Sequence, residues 1–123
     1  MRRSVGAAVL WMLLVPCTAG ATDTKPFDPV GLWRFHHTDG TAFHAWLKAD
    51  QTATTDFDSG ERGIWRWEGE RVRVYYTDGW DDVLYAAGNA YRKAGYAPGV
   101  DRCGPASNDT VAEKISSDPA AKP

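Results

Sequence analysis

From Glu61 to Tyr85 the chain reads ERGIWRWEGERVRVYYTDGWDDVLY, with apolar and polar positions alternating at a period of two residues. That period belongs to strands with one buried face. Glu68-Gly69 and Asp78-Gly79 are turn signals, because tight hairpin loops hold residues at positive φ, which glycine adopts without steric cost. Three consecutive antiparallel strands follow. With Glu68-Gly69 at the first turn, Trp67 faces Glu70 and Trp65 faces Val72. With Asp78-Gly79 at the second, Tyr76 faces Asp81 and Val74 faces Val83. One face then carries Trp65, Trp67, Val72, Val74, Tyr76, Val83 and Tyr85, with Asp81 among them. The other carries Ile64, Arg66, Arg71, Arg73, Tyr75, Asp82 and Leu84. A slip of one residue would turn the guanidinium groups inward, so the partition specifies a register.

The same signals extend in both directions. Val30 to His37 and Ala42 to Lys48 flank Asp39-Gly40, a two-residue turn that sets Trp33 opposite Trp46 and Phe35 opposite His44. Thr52 to Phe57 suits a short strand, and Asp58 to Gly63 is a polar loop. Tyr91 to Ala94 returns as a strand, and Val111 to Ile115 closes the series. No segment after residue 20 shows a helical period. Seven or eight short strands at roughly ten-residue spacing predict an all-β fold, a single small antiparallel up-and-down meander. Closing it into a barrel removes the exposed edges. The barrel domain spans 30–115, an extended leader with Pro26 and Pro29 spans 21–29, and 116–123 reads as a disordered tail.

The first 20 residues belong to another physical class. Arg2 and Arg3 precede an apolar run, Val5 to Val15, too short to span a bilayer and followed by small residues. That order is a signal peptide's, cut here after Ala19 or Gly20, and it implies a periplasmic or extracellular protein with no transmembrane segment. A lipid anchor at Cys17 is the second choice, since Pro16 occupies a place where lipid attachment expects a small residue. Of 14 basic residues, the loss of Arg2 and Arg3 leaves 12 against 16 acidic ones, a charge of −4. An acidic domain lacks the electrostatic footprint for nucleic acid or an anionic membrane. Removal of Cys17 with the leader would leave Cys103 without an intramolecular partner. Large side chains would then supply the burial in a small core.

Gly31-Leu32-Trp33, at the head of the first strand of an up-and-down meander, resembles the opening of the lipocalin and avidin group, the calycins. Gly63-Ile64-Trp65 and Tyr76-Thr77-Asp78-Gly79-Trp80 are similar to the hairpin phrasing of short bacterial lipocalin-like secreted proteins. The resemblance covers Val30 to Ile115. It implies a small barrel whose open end can hold a ligand, and a Trp33 packed across one end. The group's second motif, Thr-Asp-Tyr, is absent, and Lys114 is the nearest candidate for the cation that stacks on the first tryptophan.

Candidate chemistry gathers on the apolar face. His37 and His44 are diagonal neighbours in the expected register, within reach of one ligand. Asp81 falls among apolar residues, where an unpaired carboxylate is costly. Trp65, Trp67, Tyr76, Tyr85 and Tyr91 could line an aromatic cavity or simply fill a small core. Arg66, Arg71 and Arg73 form a stripe on the opposite face. No nucleophile elbow, phosphate loop or zinc-finger spacing is present, and a metal site at the histidines would need a third donor such as Asp81 or His36, of which His36 points to the opposite face. No metal or cofactor is expected. The reading is therefore a non-catalytic barrel that binds a small apolar or aromatic ligand through Trp65, Trp67, Tyr76, Tyr85, Asp81, His37 and His44. Two alternatives stay open. One is a module for a secreted protein partner, such as a hydrolase inhibitor; the other is a small-barrel isomerase or cyclase using His37, His44 and Asp81.

Overall fold

Eight strands form where the alternation and turn signals fall, in a computed structural model that describes Cys17 and residues 25–123. The expected signal peptide and its cut after Ala19 or Gly20 lie, Cys17 apart, outside the described residues. The strands are β1 (Gly31–His36), β2 (Ala42–Leu47), β3 (Thr52–Thr55), β4 (Glu61–Glu68), β5 (Arg71–Tyr76), β6 (Asp81–Ala87), β7 (Ala90–Tyr96) and β8 (Asn108–Ser116). Each pairs antiparallel with its chain neighbours, and β8 returns to β1, so the sheet is a closed up-and-down barrel. Inward-pointing residues alternate with outward ones on every strand. Trp33 and Phe35, Phe43, Ala45 and Leu47, Trp65, Val72 and Val74, and Leu84 fill the interior.

Loop geometry sets the registers, and three differ from the expectation. The first hairpin of the meander turns on Gly69-Glu70, with Glu68 opposite Arg71 and Trp65 opposite Val74. That is a two-residue shift, which keeps every face. The second hairpin pairs Val72 with Leu84 and Tyr75 with Asp81, an odd shift that turns β6 over. Asp82 and Leu84 face inward; Asp81, Val83 and Tyr85 face outward. The cause is a three-residue loop, Thr77-Asp78-Gly79, rather than a two-residue one. The Tyr76 amide donates to the Trp80 carbonyl and the Gly79 amide to the Tyr76 carbonyl. Gly79 holds φ 97, the left-handed residue that follows a type I turn in such loops.

Thr38-Asp39-Gly40 repeats the geometry between β1 and β2, with Gly40 at φ 88. Trp33 therefore faces Ala45 and Phe35 faces Phe43, not Trp46 and His44. Ala49-Asp50-Gln51 is a third copy, with Gln51 at φ 70. In all three the aspartate accepts the amide of the residue two positions on: Thr41, Thr52 and Trp80.

The two barrel ends are built differently. At one, residues 25–30 cross the opening and Phe27 lies against Trp33, Trp67 and Tyr91, with ring centroids 6.1, 5.3 and 5.3 Å away. The Trp33 indole donates to the Pro29 carbonyl at 2.9 Å. Lys114, paired with Trp33 across the β1–β8 seam, sets its ammonium 5.7 Å from the Trp33 ring and donates to the Asp28 carbonyl. Gly31 is required beside this seam: at φ 149, a side chain there would be driven into the Ser116 carbonyl and the Lys114 stem. The residues beyond β8, expected as a disordered tail, run back along the outer wall, where the Trp46 indole donates to the Ala121 carbonyl at 2.8 Å.

Candidate functional site

The other end is the mouth, ringed by the β1–β2, β3–β4, β5–β6 and β7–β8 loops. Alternation brings Phe43, Tyr76, Asp82 and Lys93 to its floor from β2, β5, β6 and β7. Loop and strand ends supply His37, Phe57, Glu61 and Trp80 to its rim. The rings touch: His37 is 4.8 Å from Phe57 and 5.5 Å from Trp80, and Phe57 is 5.2 Å from Phe43, centroid to centroid. The open space among them is about 20 Å³, enough for about one ordered water. The interior below is packed.

The floor is polar but satisfied. Lys93, 1% exposed, lies 3.6 Å from Asp82, donates to Asn108 Oδ1 at 3.1 Å and sits over the Phe43 ring. Tyr76 donates to Asp82 at 2.9 Å. Burial raises the Asp82 pKa, opposed by Lys93 and Tyr76. Burial also holds the Tyr76 phenol far above its usual range, with the Asp82 charge adding to it. Asn108 ties the floor to the rim, donating to Thr38 Oγ1 at 2.9 Å. On the rim, burial pushes Glu61 up to about 8, helped by a side-chain hydrogen bond shared with Asp78 and by the charges of Asp78, Asp82 and Asp58. Glu61 is thus a carboxylic acid that can donate or release a proton near neutral pH.

Of the residues expected to bind, His37 and Tyr76 meet at the mouth. Trp65 and Trp67 point into the barrel from β4 but sit toward the closed end. The Trp65 indole donates to the Lys48 carbonyl at 2.8 Å, and Trp67 packs on Phe27 with Lys25 5.1 Å from its ring. Tyr85, His44 and Asp81 are on the outer wall, each for the same reason, the three-residue loop that inverts the face of its strand. Tyr85 donates to Asp109 at 2.6 Å under the Arg71 guanidinium. His44 contacts Asp56 at 2.9 Å. Asp81 joins Arg73 and Arg102 at 3.3 and 3.0 Å. The His37–His44 pair is therefore split, and His37, His44 and Asp81 do not assemble an acid–base unit. The arginine stripe is mixed: Arg71 is exposed and Arg66 half-buried, whereas Arg73 is buried between Glu68 and Asp81.

Sequence reasoning missed Glu61, Asp82, Lys93, Phe43, Phe57 and Trp80 as a group. The Thr-Asp-Gly tripeptide was the available signal, because reading it as a three-residue loop turns Asp82 and Phe43 inward. Among the described residues no cluster of three or more His, Cys, Asp or Glu side chains could hold a metal, and no helix is long and apolar enough to cross a membrane. Comparison with family models, curated proteins and solved structures finds no match for this chain.

Proposed function

We propose that this chain is an exported, non-catalytic, lipocalin-like barrel that binds a small ligand at its mouth. The ligand has a flat apolar part, set against Trp80, Phe57 and His37, and a hydrogen-bonding group that meets Glu61. One observation carries the reading: the mouth combines contacting aromatic rings with a half-buried carboxyl poised near neutral pH, while the interior is full. The ligand lies across the opening rather than deep inside, so it is small. Support for the calycin-like part is the eight-stranded up-and-down closure, the Gly31-Leu32-Trp33 phrase and the Lys114 cation over Trp33. Support for export is the leader pattern together with a disulfide between Cys17 and Cys103, a bond that persists in oxidising compartments.

The test is titration of the full chain with phenol, indole and benzylamine, followed by side-chain NMR. Expected shifts concentrate on His37, Phe57 and Trp80, and Trp80→Ala weakens the best binder by about tenfold, roughly 1.4 kcal/mol. Shifts confined to the outer wall, or none with any of the three probes, would sink the proposal.

A further inference from the structure

Cys17 carries a role that its position at the end of an export leader hides. Its disulfide partner Cys103 lies in the 97–107 loop, and together they cover an outer patch of β5 and β6. Beneath them Arg73 is 3% exposed and every nitrogen of its guanidinium is engaged. Nε donates to both Glu68 oxygens at 3.0 Å, and Nη1 to Asp81 at 3.3 Å. Nη2 donates to the Arg102 carbonyl at 3.0 Å and lies 3.5 Å from the Cys17 sulfur. Arg102 adds a second cation on Asp81 at 3.0 Å, and Tyr75 donates to Glu68 at 2.7 Å. Two cations and two carboxylates are thus matched on a wall that would otherwise be wet. Buried charges are tolerated only while paired and shielded from reorganisation, and here the shield includes the sulfur of Cys17. The same cover explains why Asp81 and Val83 are buried although both point out of the barrel.

We infer that Cys17 is a residue of the mature protein. Any cut of the leader falls on its N-terminal side, not after Ala19 or Gly20, and its sulfur is committed to Cys103 rather than to a lipid. The disulfide closes a loop of 86 residues in sequence, which constrains the unfolded chain strongly.

The experiment is production of the full chain with its own leader in an exporting bacterial host. Intact-mass and N-terminal analysis follow under non-reducing, alkylating conditions. The expected protein begins at or before Cys17, takes up no alkylating agent when denatured, and is lighter than its reduced form by two hydrogens. Cys17→Ser and Cys103→Ser should each lower Tm by a similar amount, on the order of 10 °C, and the double variant no further. An N-terminus beyond Cys17 with an alkylatable Cys103, a lipid on Cys17, or a Cys17→Ser protein that melts like wild type would each overturn the inference. The mass measurement decides even where a variant fails to fold.

Discussion

Lys93 is the costliest residue of the interior, and Asp82 is what makes it tolerable. A side chain of this kind at 1% exposure needs a carboxylate and hydrogen-bond acceptors beside it, and Asp82 and Asn108 supply them. Asp82→Ala should therefore destabilise the protein by about 3–5 kcal/mol, because it strands the partner charge. The double variant Asp82→Ala/Lys93→Met should lose less than the sum of its two single changes, and urea unfolding of the four proteins measures this. Glu61 behaves in the opposite sense to an ion-paired acid. Its folded pKa, about 8, lies above the reference value of 4.5, so the folded state holds the proton more tightly than the unfolded chain. Its contribution to stability is complete below pH 4.5 and declines as pH rises through 8. Glu61→Gln is neutral throughout, so the Tm difference between variant and wild type should move in the variant's favour across that window. A difference that moves the other way would mean that Glu61 is ionised at the mouth.

Among elements, loops rather than strands decide which side chains meet. Three hairpins share the three-residue form, and each needs a left-handed residue at its third position: Gly40, Gln51 and Gly79. Gly40 isolates the conformational term, since nothing lies within 4 Å of where its Cβ would stand. Gly40→Ala should cost about 1–2 kcal/mol, and Gly40→Asn distinctly less, because asparagine tolerates this region better; thermal unfolding compares the two. The same loops mark where sequence reasoning stopped. The period-two alternation was legible, and the strands fall close to where it put them. The face assignment was legible for β4 and β5, because Arg66 and Trp65 present unlike faces, even though the pairing itself is shifted by two residues. It was not legible for β6, where Asp81, Asp82, Val83 and Leu84 are all buried. A strand covered on both sides carries no amphipathic signal, so the pairing rests on the turn alone. A two-residue and a three-residue reading of Thr-Asp-Gly differ by one position, and that position separates Asp82 from Asp81 and Phe43 from His44.

For the whole molecule, closure makes the two ends unequal, and the inequality is what points to function. A barrel of eight short strands has an interior that side chains can fill or that can hold one small ligand. Tryptophan, phenylalanine and leucine fill this one from Trp33 up to Phe43. The closed end depends on residues outside the strands, since Phe27 supplies the ring that lies on Trp33, Trp67 and Tyr91. If that ring is the plug, Phe27→Ala should remove about 2 kcal/mol or more. It should also admit solvent to Trp33, which is fully buried in the intact protein. Acrylamide quenching reads the second effect directly: the variant should gain a quenchable tryptophan that wild type lacks, while the rings at the mouth keep their environment. A long-chain fatty acid adds the complementary measurement. A hollow barrel would take it up and melt later, whereas a packed one has no place for the tail. Wild type should therefore show no Tm shift with it, and Phe27→Ala, whose opening leads only to packed residues, should show none either. A shift in wild type would mean that the interior side chains part to admit a ligand, and the binding site would then extend down the barrel from Trp80 to Trp65.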